Sequence, residues 1–247
     1  MNRHLVLILL VLLIIIVSII IYKKNRNTES FPVNKFNNAN NLEIITENRD
    51  PEILLIKNFL TREECDHLII QGEPLLKAST VCSEDGDKVD ESRTSWTASI
   101  GKELITENSK DSILQKIYER AAEFCMRPIQ NIEPIQMVRY NSGQFYKPHY
   151  DYLDTSMDIY KEQVKINGQR EITFFVYLND VPNGVGGETY FPKLDKKIKG
   201  KKGDAVFWYN IKQNGDLDNQ TLHGGNPITE GTKYGLNIWV RTKTSTF

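Results

Sequence analysis

After Pro134 the chain changes to short β-rich runs separated by turn residues, and this pattern constrains the fold more than any other feature. The predicted strands are 135–140, 144–151, 172–178, 188–191, 205–209 and 234–241. Many short strands that follow helices are typical of an α+β chain ending in a double-sheet jelly roll. We therefore expect two facing sheets in the second half of the chain.

The first half of the folded region predicts one strand and two helices. Residues 53–56 form an apolar run that reads as a first strand. Thr61 and Glu64 have the spacing of a capping box, which predicts a helix start. A second helix is predicted by apolar residues at three- to four-residue spacing, and it ends before Pro128; these residues are Ile113, Leu114, Ile117, Ala121, Phe124 and Cys125. Both helices are expected to pack on one face of a sheet.

The amino terminus predicts a membrane anchor. Residues 5–21 are apolar apart from Ser18, which is near the lower limit of about 17 residues for a membrane-spanning helix. A cleavable signal peptide is the alternative, but the apolar run is long for one and no small-residue cleavage site follows it. We assign 1–22 to a transmembrane helix, 23–49 to a polar linker and 50–247 to the folded domain. An ordered arm is the alternative for the linker.

Two histidines and an aspartate are candidate metal ligands in a chain that has only four histidines. His149 and Asp151 are two positions apart, so on an extended strand both side chains would point to the same face. His223 could complete the set from a distant strand. Two neutral nitrogens and one carboxylate, with open positions opposite, suit non-heme Fe(II) oxygenases. Zinc accepts the same ligands with water in the open position, but that alternative does not explain Lys233, ten positions after His223.

These motifs resemble the prolyl 4-hydroxylases, which are Fe(II)- and 2-oxoglutarate-dependent dioxygenases. Residues 137–151 resemble the iron-binding segment of that family, and further matches follow in the family's order at 169–170, 176–180, 186–192, 202–205 and 222–228. The resemblance implies a double-stranded β-helix with helices packed on its larger sheet. It also implies Fe(II), 2-oxoglutarate, O2 and ascorbate as cofactors and cosubstrates. The chain is most similar to the small, stand-alone enzymes of plants, algae and large viruses.

The resemblance also implies how 2-oxoglutarate is held. The far carboxylate needs a cation as its partner, because an unpaired buried charge is costly. Lys233 occupies the family's position for that cation. Thr189 and Tyr140 resemble the hydroxyl groups that hydrogen-bond the same cosubstrate, and Tyr177 is expected to line the same pocket.

Four further residues are expected to lie near a proline-rich peptide substrate. Arg93 and Arg170 match arginines that the family places there, and Trp239 matches an aromatic residue of the last strand. Aromatic and arginine side chains suit a polyproline II segment, which arrives preformed. Arg241 stands where the family commonly has a histidine, and this change of charge is expected to affect peptide preference.

Two long polar segments, 80–95 and 152–169, are expected to flank the iron and to act as lids; ordinary solvent loops are the alternative. The net charge of −1 gives no case for a nucleic-acid surface. Three cysteines form no even-numbered disulfide framework. We expect a monomer.

The compartment and the substrate stay open at this stage. The basic residues after the apolar run slightly favour a cytoplasmic domain. Anchored members of the family, however, usually face the secretory lumen. We therefore expect a membrane of the endoplasmic reticulum or secretory pathway, and the side on which the domain lies stays open. Two rival functions are the same chemistry on another residue, such as lysine, and a catalytically silent jelly-roll binding module.

Overall fold

The structure is a computed structural model that describes residues 42–83, 86–101 and 111–244. Its strands are β1 (Glu43–Arg49), β2 (Glu52–Lys57), β3 (Lys77–Ala78), β4 (Val81–Ser83), β5 (Gly86–Lys88), β6 (Trp96–Ile100), β7 (Ile135–Asn141), β8 (Tyr146–His149), β9 (Arg170–Tyr177), β10 (Thr189–Phe191), β11 (Lys196–Ile198), β12 (Ala205–Tyr209), β13 (His223–Gly225) and β14 (Thr232–Arg241). Its helices are α1 (Arg62–Gly72), α2 (Ser112–Cys125) and α3 (Asp158–Asn167).

Two antiparallel sheets carry the fold. The larger sheet has the order β1-β2-β12-β9-β14-β7-β6-β3, and the smaller sheet has the order β11-β10-β13-β8. Side chains of both sheets share one core, in which Phe175 and Tyr177 of β9 meet Phe191 of β10. This combination of helices with antiparallel sheets agrees with the two facing sheets that the sequence predicts.

Strand β9 separates the helices from the space between the sheets, because successive side chains of a strand point to opposite faces. Phe174 packs on the helix side, with its ring centroid 5.1 Å from that of Phe59 and 5.7 Å from that of Phe124 in α2. Phe175 and Tyr177 lie on the opposite face, within the inter-sheet core. The strand therefore supplies both the helix-packing layer and the floor of the site described below.

The predicted capping box is confirmed. The Thr61 hydroxyl accepts a hydrogen bond from the Glu64 amide at 3.1 Å, and the Glu64 carboxylate accepts one from the Thr61 amide at 2.9 Å. The second predicted helix is also confirmed as α2, which ends at Cys125, and Met126 follows in the left-handed conformation with φ of 52°.

One part of the predicted linker is folded. Residues 43–49 form β1, an edge strand paired with β2, so the ordered arm is correct for this part of 23–49. The run 53–56 therefore belongs to the second strand of the structure. Strand β1 is mostly exposed and has little apolar alternation, so backbone pairing and not hydrophobic pattern defines it.

Two further boundaries differ from the prediction. The run 144–151 contains a strand only over β8, and the polar segment 152–169 contains α3. Asn167 is the one buried residue of α3, and the inward-facing residues at helical spacing include polar Gln163 beside Tyr160 and Val164, which weakens the apolar pattern.

Among the described residues, no helix combines the length and apolar character needed to cross a bilayer. The predicted anchor, 1–22, lies outside these residues. Cys65 and Cys125 are buried free thiols, and burial raises the pKa of each to about 12, which disfavours the reactive thiolate.

Candidate metal centre and cosubstrate cavity

The smaller sheet brings the three predicted metal ligands together. His149 of β8 and His223 of β13 are direct cross-strand partners. Asp151 lies just beyond the end of β8, in a bend and not on a strand as the spacing argument assumed, yet its carboxylate still faces both rings. Its oxygens lie 3.6 Å from His149 Nε2 and 3.5 Å from His223 Nε2. One ligand atom from each residue falls within 4.8 Å of the others, which fits a single ion.

Backbone carbonyls orient both imidazole rings. His149 Nδ1 lies 3.0 Å from the Lys147 carbonyl, and His223 Nδ1 lies 2.9 Å from the Thr221 carbonyl. A proton on each Nδ1 satisfies these contacts and leaves each Nε2 lone pair directed at the Asp151 carboxylate. Partners of this kind fix the tautomer that a metal-binding histidine needs.

The protonation states also suit a cation. Burial lowers the pKa of His223 to about 4, so this ring is neutral at physiological pH. Burial alone would raise the pKa of Asp151, but its interactions with His223, His149 and Arg170 bring it below its usual range. A neutral ring beside a carboxylate is the state that binds a metal.

A chain of buried polar groups behind Asp151 was not predicted from the sequence. The Thr173 hydroxyl donates to Asp151 Oδ2 at 2.8 Å, and Asn210 Nδ2 donates to that hydroxyl at 2.9 Å. Trp208 Nε1 in turn donates to Asn210 Oδ1 at 2.9 Å. The three residues come from β9, β12 and the turn after β12, and no local sequence signal connects them. They fix the position of the carboxylate.

The far end of the site contains a buried ammonium group. Lys233 is 1% exposed, and its Nζ lies 5.4, 4.9 and 5.3 Å from the ring centroids of Tyr140, Phe175 and Tyr177. Within the described residues, no carboxylate lies close enough to form an ion pair with it. Burial lowers the pKa of Lys233 to about 7, which shows how poorly this environment alone stabilises the charge.

The hydroxyl groups predicted around the cosubstrate are distributed unevenly. Tyr140 and Thr189 line the same cavity as Lys233. Tyr177 does not reach the cavity surface. Its hydroxyl lies 2.8 Å from both Thr189 Oγ1 and the Ile198 carbonyl, so it supports Thr189 from beneath.

A cavity of about 290 Å³ joins the metal ligands to Lys233. Three of the predicted substrate residues, Arg93, Arg170 and Trp239, line it. Both long polar segments also contribute to its walls, 80–95 through Thr80 and Val81 and 152–169 through Tyr160 and Gln163, among others. Whether these segments move as lids stays a prediction.

Arg241 is not brought into the cavity. It is 1% exposed and its guanidinium donates to the carboxylate of Glu133 and to the Gly168 carbonyl. Arg241, which was expected to lie near the peptide, does not line the cavity, and its donors are used within the protein.

The donor set fits the group that the sequence resemblance implies. Two imidazole nitrogens and one carboxylate leave open positions for a chelating ligand. The same cavity also contains the Lys233 ammonium, which has no anionic partner among the described residues and could receive the second charge of a dicarboxylate bound to the metal. His149, Asp151 and His223 would hold Fe(II), and Lys233 would hold the far carboxylate of 2-oxoglutarate.

Comparisons with known proteins agree with this geometry. Residues 135–241 match the family described as the 2OG-Fe(II) oxygenase superfamily. Prolyl 4-hydroxylase 1 of Arabidopsis thaliana is 35% identical, over 78% of this chain and 70% of that protein. Prolyl 4-hydroxylase 5 of the same plant is 32% identical, over 77% and 68%.

A solved structure shows the same relationship. The viral collagen prolyl hydroxylase from Paramecium Bursaria Chlorella virus-1, in its complex with 2-oxoglutarate, superposes with a TM-score of 0.57 at 30% identity. The match covers 76% of this chain and 94% of the viral protein. The fold and site thus define a 2-oxoglutarate- and Fe(II)-dependent dioxygenase. Within that superfamily, the chain belongs to the prolyl 4-hydroxylases.

Proposed function

We propose that this protein hydroxylates proline residues of a peptide or protein. The observation that carries the proposal is the convergence of His149, Asp151 and His223 on one point, with the buried ammonium of Lys233 in the same cavity. Its relatives and the viral structure, whose names record prolyl hydroxylation, support proline as the target.

When bound, Fe(II) and 2-oxoglutarate supply O2 activation: one oxygen atom enters a substrate C–H bond and the other enters succinate as CO2 is released. The residues of the chain bind and orient. The two histidines and Asp151 would hold the ion, and Lys233 would neutralise the far carboxylate. Tyr140 and Thr189 offer hydroxyl groups along the wall between them.

The mouth of the cavity suits an extended, proline-rich chain. The Tyr146 ring stacks on His149 with centroids 3.6 Å apart, and the Arg93 guanidinium lies 4.7 Å from the Tyr146 ring centroid. Tyr150 and Tyr152 stack beside them at 4.5 Å. Aromatic grooves of this kind bind polyproline II segments, which lose little entropy on binding.

The test is an assay of the purified chain with Fe(II), ascorbate, O2 and 2-oxoglutarate. Two peptides of equal length are supplied, one proline-rich and one with lysine in place of each target proline. We expect succinate to form and the mass of proline residues to increase by one oxygen, with no product from a His149→Ala variant. Hydroxylation confined to lysine would refute the proline assignment, and the absence of succinate with any peptide would favour a binding module.

We also propose that residues 1–22 anchor the domain in a membrane of the endoplasmic reticulum or secretory pathway, as a monomer. The support for the anchor is the apolar run of the sequence. Resistance of the full chain to alkaline carbonate extraction, lost on deletion of 1–22, would support the anchor, and protease protection would give the side of the membrane. A fully extractable chain would exclude the anchor.

A further inference from the structure

Behind the wall of the cavity, two arginines converge on one carboxylate. Glu133 accepts hydrogen bonds from Arg170 Nε at 2.7 Å and Arg170 Nη2 at 2.9 Å, and another from Arg241 Nε. Burial alone would raise the pKa of Glu133, but the two arginines hold it below its usual range. Glu133 is therefore ionised, and its two oxygens tie both arginines into one buried cluster.

Arg241 makes a second connection, to the end of α3. Its Nη1 donates to the Gly168 carbonyl at 2.8 Å. Gly168 ends the helix with φ of +74°, and its amide donates to the Val164 carbonyl at 2.9 Å. A Cβ atom on Gly168 would lie only 2.3 Å from Thr242 Oγ1, so this end of α3 fits closely against the chain after β14.

Both of the elements that Arg241 holds reach the cavity. The Arg170 guanidinium lies 3.8 Å from the ring centroid of Trp239, and both side chains line the cavity. Helix α3 contributes Tyr160 and Gln163 to another part of the lining. Trp239 Nε1 is buried and has no hydrogen-bond partner among the described residues, so the wall presents a donor to any acceptor that enters.

We propose that Arg241 is a positioning residue for the peptide substrate. It fixes two walls of the cavity at once, through Glu133 to Arg170 and Trp239, and through Gly168 to α3. The proposal rests on the peptide-hydroxylating function given above. Peptide binding then depends on a residue that never touches the peptide.

Arginine suits this task because its planar fork can bond two acceptors in fixed directions, whereas lysine offers one compact charge. A lysine at position 241 could satisfy Glu133 or the Gly168 carbonyl, but not both in this geometry. Glutamine would supply neither the charge nor the reach. The three side chains should therefore give graded effects.

The experiment compares the full-length wild type with Arg241→Gln and Arg241→Lys. It measures the KM values for a proline-rich peptide and for the cosubstrate 2-oxoglutarate, and the Kd of a fluorescently labelled form of that peptide by anisotropy with the Zn(II)-loaded protein. The matched control is Arg127→Gln. Arg127 forms a bidentate pair with Glu171, the neighbour of Arg170, at 2.8 and 2.5 Å, and does not line the cavity.

We expect Arg241→Gln to raise the KM and Kd for the peptide about tenfold or more, since displacements of about 1 Å can cost up to about a hundredfold. The KM for the cosubstrate should stay within about twofold, Arg241→Lys should recover part of the loss, and Arg127→Gln should behave as wild type. If Arg241→Gln does not fold, Glu133→Gln cuts the same link at the carboxylate and should give the same selective rise.

Two results would overturn the inference while leaving the proposed function intact. One is an active wild type whose peptide KM and Kd are unchanged in the variants. The other is an equal rise for peptide and cosubstrate, which indicates a general structural defect. A wild type that hydroxylates no peptide would instead overturn the proposed function, and this inference with it.

Discussion

The two ends of the cavity are built in opposite ways. At the metal end, both imidazole rings are oriented by backbone carbonyls and the Asp151 carboxylate is held by Thr173. At the other end, Lys233 is enclosed by three aromatic rings and has no anionic partner among the residues that the structure describes. One end is fully arranged before its ligand arrives, and the other holds a charge that its ligand must neutralise.

This difference shows how the site can order its ligands. A metal needs ligands in fixed directions, and fixing them in advance reduces the entropy cost of binding. The buried ammonium instead favours a ligand with a carboxylate at the correct distance from the metal, because only such a ligand satisfies both ends. Length and charge of the cosubstrate are therefore selected together.

The largest effect on turnover is expected from removing a metal ligand at the metal end of the cavity. Asp151→Ala should reduce turnover about a thousandfold or more, since the metal supplies several kcal/mol of stabilisation to the reaction. Mn(II) titration should show weak metal binding by the variant. Asp154→Ala is the matched control, because that exposed carboxylate accepts hydrogen bonds from Ser156 and does not line the cavity. A Mn(II) affinity equal to wild type in Asp151→Ala would show that the metal is held elsewhere.

Removing the charge at the other end should separate the two ligands. Lys233→Ala should weaken 2-oxoglutarate binding by about 2 kcal/mol or more, roughly thirtyfold, because the cosubstrate carboxylate loses its buried partner. The Mn(II) affinity of the cosubstrate-free protein should change little. Titrations of each ligand by calorimetry make the comparison, with Lys57→Ala as control, since Lys57 pairs with Asp204 outside the cavity. Equal losses for metal and cosubstrate would mean that Lys233 is structural.

The difference between the two ends also predicts that binding of the cosubstrate, and not binding of the metal, depends on pH. The lowered pKa of Lys233, about 7, means that the side chain is charged below this pH and neutral above it. Binding of a carboxylate requires the charged form, so the Kd for the cosubstrate should be lowest near pH 6 and should rise above pH 7, by up to about tenfold per pH unit. Among described groups, Glu188 opposes this lowering and Lys199 adds to it.

Anaerobic calorimetry with the Mn(II)-loaded protein between pH 6 and 9 measures this dependence. Because the pKa of His223 is lowered to about 4, its titration lies below the window used. In buffers of different ionisation enthalpy, binding at pH 8 should be accompanied by proton uptake. A flat profile without proton uptake would show that Lys233 is fully charged before 2-oxoglutarate binds.

The sequence predicted residues whose role follows from chemistry and order along the chain. His149, Asp151 and His223 are recognisable because few residue types bind metals, and Lys233 because the resembled family has a cosubstrate-binding cation at its position after His223. Strands such as β9 were predicted as short β-rich runs between turn residues, and β9 is buried on both faces. Asp151 was identified correctly although it lies beyond the strand that was expected to carry it.

The missed features depend on contacts between distant segments. Arg241 is 108 residues from Glu133, and no local pattern shows that its guanidinium turns away from the cavity. Helix α3 buries little, and polar Gln163 and Asn167 share its inner side with Tyr160 and Val164, so its apolar pattern is weak. The support behind Asp151 joins residues that are 22 and 37 positions apart, each of an ordinary type for a strand or turn.

Removing the hydrogen bond from Thr173 to Asp151 is expected to have the smallest effect of these changes. Thr173→Val keeps the shape of the side chain but removes the hydroxyl that donates to Asp151 and accepts from Asn210. Partners of this kind typically change metal affinity by about tenfold or more, so we expect the Kd for Mn(II) to rise by about tenfold. The Kd for the cosubstrate, measured with saturating metal, should change far less, because Lys233 and its aromatic rings are untouched.

Thr97→Val is the control, since it makes the same atomic change on β6, away from the cavity lining. If Thr173→Val binds Mn(II) as well as the control does, the carboxylate is held by the metal and not by the protein. The metal end would then resemble the Lys233 end, with both completed only by their ligands, and the proposed division of the cavity would fail.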